Sequence, residues 1–188
     1  IIDDGGGIRL SFPSNDWDTD KNAGSSGWLA FRDYSSWYHI CHVVDHGTSP
    51  YIFLYVNGVL MDNDTIYGYK NGPGYATDMS PRSGDNFYVG SDNGSAGTMP
   101  GYLADTYWIE QQALNPVGTF GEFNEDTGQF VPIEYTGTYS GNSFYLDYSD
   151  SDDLGADSSG LSNDFTASAT LGGQRPDTPT NNLSLIHI

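Results

Sequence analysis

Carboxylates at alternate positions near the start of the chain have the spacing of a loop that gathers oxygen ligands around a cation. Asp16, Asp18 and Asp20 form this run, and carboxylate oxygens are the ligands that Ca²⁺ prefers in proteins. The EF-hand pattern fails, because Lys21 stands where glycine belongs and Gly27 where a bidentate glutamate belongs. A solvated acidic loop is therefore the simpler interpretation, and calcium is the cofactor that the run would bind.

Two other acidic segments are candidates of the same kind. Asp92 and Asn93 directly follow a predicted strand, where their side-chain oxygens could share one cation. Asp150 and Asp152 begin a second partial match to the EF-hand loop, which fails at Leu154. The solvated-loop interpretation is again the simpler one for both segments.

Aromatic side chains in predicted loops are candidates for stacking on sugar rings. They are Trp17, Tyr67, Tyr69 and Tyr75. An ordinary exposed or packed ring is the alternative for each of them. The tryptophans in strand-like segments, Trp28, Trp37 and Trp108, are predicted to pack in the core.

The sequence favours a non-catalytic protein. An all-β enzyme that cleaves glycans would need carboxylates at alternate positions, on one face of a strand. Glu122 and Glu125 are instead three positions apart in a turn-rich connector. His39 and His42 lie on opposite faces of a predicted strand and so cannot share a ligand. Cys41 lies in the same apolar strand, where an isolated thiol is usually a small buried hydrophobe.

Composition excludes several partners and favours strands over helices. The net charge of −19, with only 6 Lys and Arg, rules out a basic surface for nucleic acid or for anionic lipid. No segment is long and apolar enough for membrane insertion. The chain has 24 Gly and 14 Tyr, a combination that predicts short strands around an aromatic core, joined by tight turns.

Hydrophobic periodicity predicts where the strands lie. Residues 37–45 alternate with apolar side chains on both faces, which indicates a strand buried on two sides. Residues 51–56 and 59–61 flank Asn57-Gly58, the preferred pair for a type I′ hairpin turn. A second hairpin is predicted around residues 126–128. Further strands are predicted at 8–12, 28–31, 87–90, 102–110, 144–148 and 165–171, with an acidic loop at 149–162.

Four of these segments, in order, resemble one superfamily. They read WYHICHVVD at 37–45, YIFLYVNGV at 51–59, FYVG at 87–90 and GYLADTYWI at 101–109, before an Ala-Leu turn. The set resembles the laminin-G/pentraxin branch of the concanavalin A-like lectin/glucanase superfamily. The resemblance implies an all-β protein with an antiparallel jelly-roll β-sandwich, truncated at the N-terminus and followed by a loop-rich C-terminal extension. Lectin-like sandwiches often hold a cation where Asp92 and Asn93 stand.

The later part of the chain has a resemblance of its own. Segments such as GNSFYLDY at 141–148, DSSG at 157–160 and DTPTNN at 177–182 are similar to those that follow such sandwiches in tailed-phage structural proteins from environmental sequence. This resemblance implies a virion-surface or tail-fibre location, a cell-surface glycan and other virion proteins as partners, and an oligomer as one assembly state.

These observations give a domain plan and a ranked set of functions. Residues 1–116 are predicted to form the sandwich, and residues 117–182 a connector that begins a second β module. Residues 183–188 have the sequence that a translated sequencing adapter would give. The first function is a non-catalytic carbohydrate-binding or structural module of a virion or extracellular protein. The alternatives are a secreted bacterial adhesion or lectin domain and a fragment of a glycoside hydrolase.

Overall fold

The computed structural model describes residues 36–45, 51–61, 87–91, 99, 101–167, 173, 174 and 179. All regular structure in these ranges is β-strand, with no helix, so the prediction of an all-β protein is confirmed for them. The chain divides into two compact units, Ile1–Pro100 and Gly101–Ile188. This division reflects how compactly each part folds. The boundary predicted after residue 116 marks where the resemblance to the superfamily ends, and it stays a prediction.

A three-stranded antiparallel sheet forms the described part of the first unit. Strand β1 is Ile40–Asp45, β2 is Tyr51–Val56 and β3 is Val59–Leu60, in the order β1-β2-β3. The predicted strands at 37–45, 51–56 and 59–61 therefore exist, although β1 begins three residues later than the sequence pattern suggested.

Both faces of this sheet carry a buried aliphatic side chain. Val43 lies opposite Phe53, and His42 lies opposite Leu54. Directly opposed residues share a face and neighbours alternate, so Val43 and Leu54 lie on opposite faces. They are 9% and 6% exposed, which agrees with the two-sided burial that the hydrophobic pattern predicts.

The turn between β2 and β3 has the geometry that the Asn-Gly pair predicts. Asn57 and Gly58 have φ of 49° and 74°, the positive values that a type I′ turn requires at both positions. Asn57 is also tied to the chain before β1. Its amide N–H donates to the carbonyl of His39 at 2.8 Å, and its Oδ1 accepts from the His39 amide at 2.8 Å.

Two short antiparallel ribbons form the second unit. Strand β4, Thr106–Trp108, pairs with β7, Phe144–Leu146, and β5, Gly121–Phe123, pairs with β6, Phe130–Pro132. The β5–β6 connection contains residues 126–128, as predicted, and Asn124 Oδ1 caps it by accepting from the amides of Asp126 and Thr127. The predicted strands at 102–110 and 144–148 shorten to β4 and β7.

The core of the second unit gathers around β7. Phe144 and Leu146 are 4% and 2% exposed, and Tyr145 between them lies on the other face of the strand. The ring of Phe165 meets the ring of Phe144 edge-on, with centroids 4.7 Å apart. Phe165 thereby anchors the end of the acidic loop against the strand.

Two predicted strands are not formed in the described residues, and several features stay predictions. Residues 89–91 form a bend and residues 87 and 88 have no regular structure, where a strand was predicted at 87–90; Gly90 has a φ of 74°, which extended structure does not allow. Residues 165–167 also have no regular structure, and the rest of the strand predicted at 165–171 lies outside the described residues. The described strands form small antiparallel sheets, so the jelly-roll arrangement remains a prediction. The predicted strands at 8–12 and 28–31 lie outside the described residues. Within the described ranges no helix could cross a membrane.

Candidate functional site

The β4–β7 ribbon places two tyrosines face to face. Tyr107 and Tyr145 are directly opposed in the antiparallel register, so their side chains leave the ribbon on the same face. Their rings stack with centroids 4.2 Å apart and planes inclined by only 5°.

A carboxylate completes this pair. The Tyr145 hydroxyl donates to Asp105 Oδ1 at 2.8 Å. Because a phenol has one proton, Tyr145 uses it for Asp105. Asp105 has a φ of 47°, a left-handed conformation that aspartate tolerates better than most residues and that concentrates at functional positions.

Three further rings extend the stack into an aromatic cluster. We define the aromatic cluster as Tyr107, Phe120, Tyr135, Tyr139 and Tyr145. Phe120 lies 5.4 Å from Tyr107 and 5.1 Å from Tyr135, and Tyr139 meets Tyr135 edge-on at 5.2 Å. Phe120 and Tyr135 are buried, whereas the other three rings are half-buried. The cluster therefore has a packed interior and a polar rim of phenol groups.

A groove of about 260 Å³ adjoins the cluster at Tyr135. One wall is the turn at Gly118 and Thr119, and the other is the segment 133–137, which includes Glu134 and Thr136. The hydrogen bond from the Ile133 amide to the Phe120 carbonyl, 3.1 Å long, holds the two walls together. The groove therefore presents hydroxyl, carboxylate and backbone groups beside an aromatic surface.

The phenols of Tyr107, Tyr139 and Tyr145 stay protonated at neutral pH. Burial, and then hydrogen bonding to Tyr107 and to Asp105, raises the pKa of Tyr145 well above its usual range. Burial also raises the pKa of Tyr139 and of Tyr107, and the nearby charge of Glu134 adds to both effects. These groups are therefore hydrogen-bond donors and acceptors at neutral pH, not bases, and the charge around them is negative.

Asp157 fixes the backbone of β7 beneath the cluster. Its Oδ1 accepts from the amides of Tyr145 and Ser159, both at 2.9 Å, and its Oδ2 accepts from the Ser159 hydroxyl and the Asn163 amide. Asn163 in turn donates through Nδ2 to the carbonyl of Ser143 at 2.8 Å. The acidic loop is therefore bound to the strand that carries Tyr145.

The thiol and the two imidazoles in and just before β1 show no sign of activation. Burial raises the pKa of the Cys41 thiol to about 11, which leaves it protonated and unreactive at neutral pH. Burial lowers the pKa of His42 to about 4 and lowers that of His39 as well. Both imidazoles are therefore neutral at physiological pH.

The residues that the sequence predicted for metal and sugar binding all lie outside the described residues. They are Asp16, Asp18, Asp20, Asp92 and Asn93 for calcium, and Trp17, Tyr67, Tyr69 and Tyr75 for sugar stacking. In the part of the chain that the structure describes, no three His, Cys, Asp or Glu side chains are grouped to hold a metal. Asp150, of the second partial calcium match, accepts the Asp152 amide at 2.9 Å and so closes a tight loop turn.

Sequence reasoning did not select the aromatic cluster. Its members are spread from Tyr107 to Tyr145, and the pairing of β4 with β7 that joins them spans a long stretch of chain. One local signal was present. In Phe144-Tyr145-Leu146 the outer residues are buried, so the alternation of a strand sends Tyr145 to the opposite face.

Comparison with protein-family models, curated proteins and solved structures finds no match to this chain.

Proposed function

We propose that the chain is a non-catalytic carbohydrate-binding module of a virion or extracellular protein, and that its C-terminal unit binds a neutral glycan. The observation that carries the proposal is the groove beside the aromatic cluster, with Glu134 and Thr136 on one wall and Thr119 on the other. Sites for small ligands combine an apolar or aromatic surface with a few placed polar groups. Sugars fit this description because their hydroxyls pair with such groups.

The charge of the site selects the class of glycan. Asp105, Glu134 and Asp157 all act on the tyrosines of the cluster as negative charges, and the whole chain carries −19. An acidic sugar would meet repulsion from the site and from the surrounding field. A neutral oligosaccharide, or one that carries an amine, has no such penalty.

Binding to immobilised and soluble glycans tests the proposal. We expect the full chain to bind neutral hexose oligosaccharides on an array. Calorimetry with an oligosaccharide that binds on the array then gives the Kd of the wild type and of each variant. Glu134→Gln removes a charged hydrogen-bonding partner, which is worth roughly 1.5–3 kcal/mol, so binding should weaken at least about tenfold. Glu122→Gln is the matched control, since Glu122 is an exposed glutamate of β5 outside the groove.

The results distinguish the role of the groove from carbohydrate binding itself. Equal losses in both variants would show that charge alone, not the groove, governs binding. No binding of any neutral glycan by the full chain, with or without Ca²⁺, would reject the carbohydrate function.

A structural module is the second candidate function, and the bracing of the acidic loop favours it. Ser143 is fully buried and joins two turns, and Asp157 ties the loop to β7 with four hydrogen bonds. Irregular chain held in this way suits a rigid connector between domains of a virion or cell-surface protein. The concanavalin A-like jelly roll and the phage-tail location proposed from the sequence belong with this candidate and with the first.

A further inference from the structure

We propose that Tyr107 and Tyr145 form an oxidative cross-linking site, at which a one-electron oxidant joins the two rings into an intrachain dityrosine. The inference concerns covalent modification of the chain and does not depend on glycan binding. It rests on the register, the ring stack and the hydrogen bonds of the β4–β7 ribbon.

The first argument is the alignment of the two rings. Phenoxyl radicals couple at the carbons ortho to oxygen, and coupling begins from a face-to-face contact of the two rings. Tyr107 and Tyr145 hold that contact already, with centroids 4.2 Å apart and planes 5° from parallel. Because the two residues are directly opposed in the register, both side chains leave the ribbon on the same face and the near-parallel rings face each other.

The second argument is the path for the phenolic protons. A phenol loses an electron more easily when a base accepts its proton in the same step. Tyr145 donates to Asp105 Oδ1 at 2.8 Å, and the carboxylate can pass the proton to solvent because this hydrogen bond lies at the surface. A second oxidising equivalent takes an electron from Tyr107, and the phenolic proton of Tyr107 leaves for solvent, because this ring is only half-buried.

The chemistry balances with hydrogen peroxide and a peroxidase as the oxidant. Each phenol loses one electron and one proton, and the two unpaired electrons form one carbon–carbon bond between the ortho carbons. The hydrogens on those carbons then leave as protons while protons return to the two phenol oxygens. The net change is the loss of two hydrogen atoms from the protein and the reduction of one peroxide to two waters.

The remaining tyrosines of the described chain are less suited to the same coupling. Tyr139 meets its neighbour Tyr135 edge-on at 85°, which keeps the ortho carbons of one ring away from the face of the other. Tyr102 and Tyr88 are exposed, at 64% and 41%, and are the residues expected to couple between molecules. Dilute protein therefore separates the intrachain product from intermolecular ones.

The experiment treats dilute full-length chain with peroxidase and hydrogen peroxide. We expect blue dityrosine fluorescence in the monomer fraction and a mass lower by two hydrogen atoms. A glutamyl endopeptidase cuts between the two sites, for example after Glu110 and Glu134, so the cross-link should join a peptide containing Tyr107 to one containing Tyr145.

Single substitutions identify the partners. Tyr145→Phe keeps a ring in the stack but removes the phenol, so monomer fluorescence should fall to the level of protein without oxidant. Tyr107→Phe should do the same, whereas Tyr102→Phe is the matched control and should leave the monomer signal unchanged. Asp105→Asn tolerates the same backbone φ but is a poor proton acceptor, and coupling should slow severalfold.

Several results would overturn the proposal. Dityrosine confined to dimers, a cross-link mapped to other tyrosines, or undiminished monomer signal in Tyr145→Phe and Tyr107→Phe would each reject the pair. Circular dichroism of each variant before oxidation shows that the fold is intact, so a lost signal reports on the phenol. An unchanged rate in Asp105→Asn would reject the proton path through this carboxylate.

Discussion

Asp157 is the residue on which the acidic loop depends. A carboxylate can accept at both oxygens, and here each oxygen accepts two hydrogen bonds, including one from the amide of Tyr145 in β7. The abundance of Asp in residues 150–164 reads from sequence as a solvated surface, yet this one side chain links the loop to the strand. Its position in the sequence does not distinguish it from its neighbours, because the hydrogen bond to the Tyr145 amide, which ties the loop to β7, spans twelve positions.

Asp157→Asn should destabilise the second unit. The amide nitrogen of asparagine cannot accept hydrogen bonds. The donors that bind one of the two Asp157 oxygens are therefore left unpaired, at a cost of about 1–3 kcal/mol. Urea unfolding followed by tyrosine fluorescence measures the change. Asp150→Asn is the control with the same charge change, because Asp150 is exposed and accepts one amide within its own turn. Equal midpoints for the two variants would contradict the role assigned to Asp157.

The same carboxylate makes stability depend on pH. Burial raises the pKa of Asp157, but hydrogen bonds from Tyr145, Ser159 and Asn163 outweigh it, and the folded pKa lies below the ordinary value of 3.8. A depressed pKa gives stability that is present above the unfolded pKa and is lost as pH falls through the folded one. The stability advantage of the wild type over Asp157→Asn should therefore be constant above about pH 5 and shrink below 3.8.

Urea midpoints of both proteins measured from pH 7 down to pH 3 test this dependence. The difference between them isolates Asp157 from the other acidic groups, whose protonation also relieves the repulsion of a chain with a net charge of −19. A difference that grows toward low pH would contradict the assigned direction of the pKa.

At the scale of elements, Ser143 joins the end of β4 to the start of β7. Its Oγ donates to the Ser140 carbonyl at 2.6 Å and accepts from the amides of Glu110, at 3.0 Å, and Ser140, at 3.3 Å. The side chain is 0% exposed. A buried hydroxyl that satisfies backbone groups of two segments fixes the ribbon that holds the aromatic cluster.

Ser143→Ala should therefore loosen the ribbon. The substitution leaves the part-buried amides of Glu110 and Ser140 without this acceptor, and an unsatisfied donor costs about 1–3 kcal/mol. Hydrogen exchange should quicken at Glu110 and at the paired residues of β4 and β7, and the urea midpoint should fall. Ser151→Ala, at an exposed loop position, should change neither. Unchanged exchange at Glu110 in Ser143→Ala would show that the hydroxyl is dispensable.

Local patterns predicted some elements well. The period-two alternation at 37–45 and 51–56 and the Asn57-Gly58 pair give β1, β2 and their turn with the expected geometry. These features depend on near neighbours, which a single sequence displays. The β5–β6 hairpin at 126–128 is of the same kind.

Non-local pairing was the part that a single sequence could not supply. Strand β4 finds its partner in β7 across the whole β5–β6 hairpin, and three residues of strand carry too little pattern to choose a partner. The stacked tyrosines of the aromatic cluster follow from that pairing, because Tyr107 and Tyr145 lie on the two paired strands. The sequence therefore indicated the strands of the second unit but not the candidate site that their association creates.

At the scale of the whole molecule, charge is the dominant property. With 25 Asp and Glu against 6 Lys and Arg, the folded chain repels itself, and salt should relieve this repulsion. Screening extends over about 10 Å at 0.1 M salt and about 3 Å at 1 M. Raising NaCl from about 0.01 M to about 0.5 M should raise the urea midpoint smoothly at pH 7. A midpoint that falls or stays flat would show that this repulsion is not a significant term.

Calcium allows a sharper measurement on the same molecule, because binding at a specific site would stabilise the folded state in addition to the screening that any salt gives. Extracellular calcium modules bind with Kd of about 10⁻⁴–10⁻³ M, and a ligand at 100 times its Kd stabilises the folded state by about 2.7 kcal/mol. A calcium site would raise the urea midpoint in about 10 mM CaCl₂ beyond that in MgCl₂ at equal concentration. This excess should vanish in the triple variant Asp16→Asn, Asp18→Asn, Asp20→Asn if that run is the site.

The double variant Asp150→Asn, Asp152→Asn is the control. In the structure the Asp150 carboxylate closes a turn by accepting a hydrogen bond from the Asp152 amide. The double variant should keep the full calcium excess while losing two of the same kind of charge. If the excess survives the triple variant but is lost on replacing Asp92 and Asn93, the second predicted pair is the site. Equal midpoints in calcium and magnesium for the wild type would reject a specific calcium site and leave screening as the whole effect of the cation.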